Sequence, residues 1–85
     1  MSEISLRDYA DELKRLIEQG QSREVIPLAQ YLLRRHPRYL EGYRLLGEAA
    51  LVQGHNRDAI EIFRRVLSVD PENYFAHAGI ALAHT

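Results

Sequence analysis

Apolar residues recur at helical spacing along almost the whole chain. In residues 6–17 they follow one another at steps of three and four, which places their side chains on one face of an α-helix. Similar segments follow, and they are separated by the turn-forming residues Gly20, Pro37, Gly54 and Pro71. No segment alternates apolar and polar residues as a half-buried strand would. The pattern therefore predicts an all-α chain of about five helices.

Polar residues next to these segments predict where the helices begin. Serine and asparagine side chains accept hydrogen bonds from the free N–H groups of a first helical turn, so we expect Ser5, Ser22 and Asn56 to cap helices. Asp70 followed by Pro71 predicts the start of the fifth helix, because proline is tolerated at the first helical position.

The sequence also repeats itself with a period of 34 residues. A shift of this length places Tyr9 on Tyr43, and it also aligns the glycine and proline turns with one another. A helical stripe alone would produce chance matches between leucines, but it would not align turn with turn. A fixed period of this size is typical of stacked helical hairpins.

Residues 40–73 resemble the tetratricopeptide repeat family. The family's pattern appears at seven positions: Tyr43, Leu46, Gly47, Ala50, Ala59, Phe63 and Pro71. Tyr43 stands where the family has tryptophan, and Ala50 where it has tyrosine. The resemblance implies a right-handed superhelical solenoid of antiparallel helix hairpins. We expect one domain over residues 1–85, made of a weaker first repeat, a strong second repeat and part of a third (6–39, 40–73 and 74–85).

The first repeat departs from the pattern of the second. Leu13 and Val25 occupy the positions at which the second repeat has Gly47 and Ala59. We expect either a wider helix crossing or a register adjustment that buries Leu13, and the alternative is a relaxed repeat at the end of an array. Pro27 falls in an early turn of its helix, where it should bend the helix without breaking it.

The family resemblance implies that the first helix of each repeat lines a concave groove. The positions it nominates are Arg7, Asp11, Lys14, Glu41, Arg44, Leu45, Glu48, Phe75 and Leu82. Mixed charge with apolar spots suits an extended peptide or a partner helix, so we expect a non-enzymatic protein-interaction scaffold. Lys14 and Arg44 could bind a carboxylate of the partner. The alternative is that both merely pair with neighbouring glutamates on a solvated face.

Residues 74–85 are apolar on nearly every side, unlike the last helix of a repeat array, whose outer face is normally polar. The chain is therefore either a fragment of a longer repeat protein, or its terminal face is covered by a second copy. The second possibility gives an alternative function, self-assembly into homodimers or larger oligomers through Phe75, Ile80 and Leu82.

Composition and charge argue against several other classes of function. The 85 residues carry a net charge of −1 and no cysteine, which excludes disulfides and thiolate metal sites. The basic segments 34–38 and 64–65 have acidic neighbours and no interleaved aromatic residues, so we expect no nucleic-acid binding. The four histidines lack ligand spacing, and no catalytic motif is present, so we expect no metal, no cofactor and no enzyme activity. Without a membrane-spanning run or a leader, we expect a cytoplasmic protein.

Overall fold

The computed structural model describes residues 5–85, which form five helices and no strand. The helices are α1 (Leu6–Glu18), α2 (Ser22–Arg35), α3 (Leu40–Val52), α4 (Asn56–Val69) and α5 (Tyr74–Ala83). The all-α prediction is therefore confirmed. The 34-residue period of the sequence is also the period of the structure, because α3 begins 34 residues after α1, α4 after α2, and α5 after α3.

The turns that end α1 and α3 have the same geometry. Gly20 and Gly54 adopt φ values of 80° and 79°, a left-handed conformation that side chains other than glycine rarely adopt. In both turns the N–H of the residue after the glycine donates to the carbonyl five residues earlier, at 2.8 Å. This closure satisfies the last carbonyls of the helix and reverses the chain. The α1–α2 and α3–α4 hairpins are therefore closed by the same tight turn.

Two of the predicted helix caps are wrong. The Ser5 hydroxyl accepts a hydrogen bond from the Asp8 N–H at 3.1 Å, as expected. Ser22 and Asn56, however, are the first residues of α2 and α4, and the residues before them make no side-chain capping bond. Ser22 is buried, and its hydroxyl accepts a hydrogen bond from the Gln53 side-chain amide at 2.7 Å. This serine therefore joins α2 to the turn after α3.

The start of the fifth helix also differs from the prediction. The Asn73 side chain caps α5 by accepting a hydrogen bond from the Ala76 N–H at 3.0 Å. Asp70 instead ends α4, and its carboxylate accepts a hydrogen bond from the Asn73 amide at 3.1 Å. Pro71 lies in the turn between the two helices. The same arrangement holds one period earlier, where Pro37 lies in the turn between α2 and α3.

Helix α3 occupies the centre of the molecule and packs against each of the other four helices. Its buried residues surround most of its circumference, and four of the six are glycine or alanine: Gly42, Leu45, Leu46, Gly47, Ala49 and Ala50. Small side chains allow neighbouring backbones to approach closely on several sides at once. Helices α1 and α5 pack beside α3, whereas α2 and α4 pack against α3 but not against each other.

The ring of Phe63 on α4 lies between two glycines of neighbouring helices. A methyl group placed on Gly47 of α3 would lie 2.4 Å from Phe63 Cζ, and one placed on Gly79 of α5 would lie 2.3 Å from Phe63 Cε2. The ring cannot move away from one glycine without approaching the other. Phe63 therefore fills the space between α3 and α5, and the absence of both β-carbons makes that space large enough.

The sizes are exchanged one period earlier, where a small side chain stands in place of Phe63 and large side chains stand in place of the two glycines. Ala29 is the counterpart of Phe63, and Leu13 and Leu45 are the counterparts of the two glycines. All three are almost fully buried in one apolar cluster. Leu13 is thus buried as predicted, but without the register adjustment offered as its cause, since α1 and α3 begin 34 residues apart and the small side chain of Ala29 leaves room for it.

The proline in α2 does not interrupt the helix. Pro27 lies at the sixth residue of a helix that runs continuously from Ser22 to Arg35. The prediction that Pro27 leaves the helix unbroken is confirmed.

Substitution of Gly79 by alanine tests the packing of the Phe63 ring. Alanine in place of glycine ordinarily stabilises a helix by about 1 kcal/mol. Here the new methyl group would meet a ring that has no free direction to move, so we expect the free energy of unfolding to fall by about 1–3 kcal/mol. Urea denaturation followed by circular dichroism measures this change.

Two further variants isolate the cause of the loss. Ala78→Gly, at the exposed neighbouring position of α5, measures the helix-propensity contribution alone. Phe63→Leu, introduced together with Gly79→Ala, should recover part of the loss because it removes ring atoms from the contact. A Gly79→Ala variant that is more stable than the parent protein would contradict this account.

Candidate functional site

Helices α1, α3 and α5 lie side by side. Their side chains on the side away from α2 and α4 form one surface, which we call the inner face. The period places equivalent residues of the three helices in rows across it. One row contains Arg7, Glu41 and Phe75, and another contains Lys14, Glu48 and Leu82. In the row between them Arg44 and Ala78 reach the surface, whereas Ala10 is buried. The inner face therefore contains most of the residues that the sequence nominated for a groove.

Two of the nominated charges on α3 are bonded to each other. The Arg44 guanidinium donates to the Glu41 carboxylate at 3.0 Å, and both side chains are about one-third exposed. Lys14 is exposed, and neither of the two ion pairs among residues 5–85 involves it. The expectation of pairing with neighbouring glutamates thus holds for Arg44. Lys14 retains an ammonium group that faces water.

Leu45 is not available to a ligand. The sequence nominated it as an apolar groove residue, but its side chain is fully buried. Asp11, at the same position of the repeat in α1, is exposed. The difference arises because the layer formed by α1 and α2 covers this position of α3, whereas no described helix covers it on α1. The expectation that Leu45 contributes to the groove is wrong.

Sequence reasoning missed Val52 at the carboxyl end of α3. Its side chain is 60% exposed, which is unusual for valine. Val52 follows Glu48 by one helical turn, so both lie on the inner face. It is also the counterpart of Glu18 on α1, and the same 34-residue shift would have identified it.

Of the three residues of α5 predicted for self-association, Phe75, Ile80 and Leu82, only Leu82 is exposed. Phe75 packs edge-on against Phe63, with the ring centroids 6.4 Å apart, and Ile80 packs against the same cluster. Leu82 is 62% exposed and Tyr74 is 86% exposed. The accessible apolar surface of α5 therefore runs from Tyr74 to Leu82, and Phe75 and Ile80 are half-buried beneath it.

The charged end of the inner face perturbs one tyrosine. Burial raises the pKa of the Tyr39 phenol above its ordinary value, repulsion from Glu41 and Asp11 raises this pKa further, and Arg7 lowers it. The Tyr39 hydroxyl donates to the Leu6 carbonyl at 3.4 Å. Charged groups of α1 and α3 thus act on the same phenol, in addition to the larger effect of its burial.

Two residues that the sequence analysis considered for nucleic-acid or metal binding have partners within the chain. Arg35 stacks over the Tyr31 ring at 5.5 Å, and His77 bonds through Nε2 to the Pro71 carbonyl at 2.8 Å. Within residues 5–85 no three histidine or carboxylate side chains come together as metal ligands would. None of the five helices has both the length and the apolar character that crossing a lipid bilayer requires.

Comparison with known proteins supports the helical-repeat interpretation. The family model of the tetratricopeptide repeat matches residues 16–83, which is most of the chain. No curated protein and no solved structure matches the chain significantly. The match covers α2, α3, α4 and α5 together with the end of α1.

Titration of Tyr39 tests whether charged groups of α1 and α3 act on its phenol. Because the folded-state pKa is raised, the associated stability is present below the ordinary phenol pKa and is lost as the pH rises through the folded-state pKa. Glu41→Gln and Asp11→Asn should each lower the pKa of Tyr39, and Arg7→Gln should raise it further. NMR of the tyrosine ring carbons during a pH titration measures each value. Glu48→Gln, two helical turns from Glu41, is the matched control, and an equal shift in this variant would contradict the assignment.

Proposed function

Because the chain belongs to the tetratricopeptide repeat family, whose repeats generally mediate protein–protein interaction, we propose that it is a protein-interaction module that uses its inner face. Domains of this family are typically non-catalytic. The observation that carries the proposal is the row formed by Lys14, Glu48 and Leu82. It offers a cation, an anion and an apolar side chain at equivalent positions of three adjacent helices.

The chemistry of the inner face specifies the kind of ligand. Lys14 can bind a carboxylate without competing with an ion pair of the described residues, whereas the charge of Arg44 is already partly neutralised by Glu41. Leu82 in the same row as Lys14, and Val52 one helical turn beyond that row, offer exposed apolar surface. A peptide or helix with a carboxylate and a large apolar side chain on one surface matches this distribution.

Reversal of the Lys14 charge tests the proposal. The probe is a displayed library of random 12-residue peptides selected on the immobilised protein. Selected peptides should bind the Lys14→Glu variant about tenfold more weakly, because a carboxylate of the peptide would then face a carboxylate of the protein. Arg44→Glu should have a smaller effect, since Arg44 is already bonded to Glu41. Isothermal titration calorimetry measures the affinities.

Arg57→Glu is the matched control for this experiment. It makes the same charge change at an exposed position on α4, away from the inner face, and should alter the affinity less than twofold. Circular dichroism checks that each variant is folded. Equal affinity of the selected peptides for the parent protein and for Lys14→Glu would contradict the proposal.

A second candidate function is self-assembly, and the exposed residues of α5 favour it. Tyr74 and Leu82 lie two helical turns apart on one surface, with Ala78 between them, and all three are exposed. Such a surface is suited to packing against a second copy of the chain. The interaction would use Tyr74 and Leu82 more than the half-buried Phe75 and Ile80.

Substitution of Leu82 by glutamate distinguishes this candidate. If α5 mediates self-association, the mass measured by light scattering should rise with protein concentration, and Leu82→Glu should remain monomeric. Val69→Glu is the matched control, because Val69 is 76% exposed but lies on α4. A mass independent of concentration, or a Leu82→Glu variant that associates like the parent protein, would reject self-assembly through α5.

A further inference from the structure

A cleft that the sequence did not indicate lies between α2 and α4. The two helices pack against α3 but not against each other, so a gap remains above α3. Its volume is about 670 Å³, within the range of ligand-binding clefts. An adjoining cavity of about 350 Å³ shares Pro37, Tyr43 and Arg65 with it. We call the two together the α2–α4 cleft.

Apolar side chains form the floor of the cleft, and polar and charged side chains contribute much of its walls. Tyr43, Leu46 and Ala50 of α3 form its floor, and Ile26 of α2 and Ile62 of α4 line its two walls. The Tyr43 hydroxyl donates to the Pro37 carbonyl at 3.0 Å, which holds the ring in place at one end of the floor. The cleft thus combines an apolar floor with polar and charged side chains on the two flanking helices.

The cleft lies on the opposite side of α3 from the inner face. At 100° per residue, Tyr43, Leu46 and Ala50 point away from the side of α3 that carries Arg44 and Glu48. A partner in the cleft would therefore not compete with a peptide on the inner face.

Charges of opposite sign mark the two ends of the cleft. Asp58 lines it in the first turn of α4 and Glu61 one turn further along, whereas Arg34 and Arg65 line it towards the carboxyl ends of α2 and α4. All four residues are exposed, and neither ion pair found in residues 5–85 includes any of them. Asp58 and Arg65 are seven residues apart on α4, which corresponds to about 10 Å along the helix axis. The charges are therefore free to pair with a partner about two helical turns long.

From this arrangement we propose that the α2–α4 cleft binds a short amphipathic helix of a protein partner, oriented antiparallel to α2 and α4. In this orientation the amino end of the partner helix lies at Arg34 and Arg65, and its carboxyl end lies at Asp58 and Glu61. A helix with acidic residues in its first turn and basic residues in its last turn complements all four charges. The same charges interact favourably with the dipole of the partner helix. One charge pattern therefore stabilises both the partner helix and its complex with the cleft.

Two synthetic peptides test the orientation as well as the site. Each is about 11 residues long, carries leucines at helical spacing, and is bridged by a side-chain lactam because isolated short helices are marginally stable. The first has glutamates in its first turn and lysines in its last turn, and the second has these charges exchanged. We expect the first to bind the intact 85-residue protein about tenfold or more tightly than the second, as measured by calorimetry.

Variants of the protein assign the effect to the cleft. Arg65→Glu should weaken binding of the first peptide about tenfold, whereas Arg64→Glu, the same change one residue away and outside the cleft, should alter it less than twofold. A fourfold variant with Arg34→Glu, Arg65→Glu, Asp58→Lys and Glu61→Lys keeps the net charge of the protein and should prefer the second peptide. Circular dichroism confirms that each variant is folded.

NMR shift mapping locates the bound peptide. Perturbed amide resonances of Gln30, Leu46 and Ile62, with those of Lys14 and Glu48 unchanged, support the α2–α4 cleft. Three results would overturn the proposal: no binding of either peptide at millimolar concentration, equal binding of the two, or shifts confined to the inner face. Because the inner face is tested separately through Lys14, failure of either proposal can be recognised independently of the other.

Discussion

The position of the Phe63 ring between Gly47 and Gly79 is the contact on which the rest of the structure depends. It sets how closely α4 approaches α3 and α5, and these two helices carry most of the inner face. A ring of this size contributes a large apolar area, but only because no β-carbon occupies either side of it. The rows of residues on the inner face thus depend on packing within the core beneath them.

The 34-residue period predicted much of the fold because turns and helices recur together. The Gly20 and Gly54 turns have the same conformation, and the helices begin at the spacing that the sequence alignment gives. Helix starts were less predictable, since a serine next to an apolar segment can serve as a cap or as a buried donor and acceptor. Ser22 is the second case, because its partner Gln53 comes from the following repeat.

The candidate site was predictable only in part, since equivalence in sequence does not fix burial. Asp11 and Leu45 occupy the same position of the repeat, yet one faces water and the other is enclosed by the preceding layer. Val52 shows the converse, an apolar residue at an exposed position where Glu18 stands one period earlier. The α2–α4 cleft had no sequence pattern of its own, because it results from two helices whose backbones do not approach each other closely.

The exchange of side-chain sizes between successive layers fixes the order in which the repeats can be joined. Phe63 requires a glycine from the repeat that follows it, whereas Ala29 accommodates Leu45. A tandem duplication of residues 40–73 would place the counterpart of Leu45 where Gly79 now lies, against the aromatic ring. The repeats are thus not interchangeable. Lengthening the array by duplication would require a compensating substitution where the two copies meet.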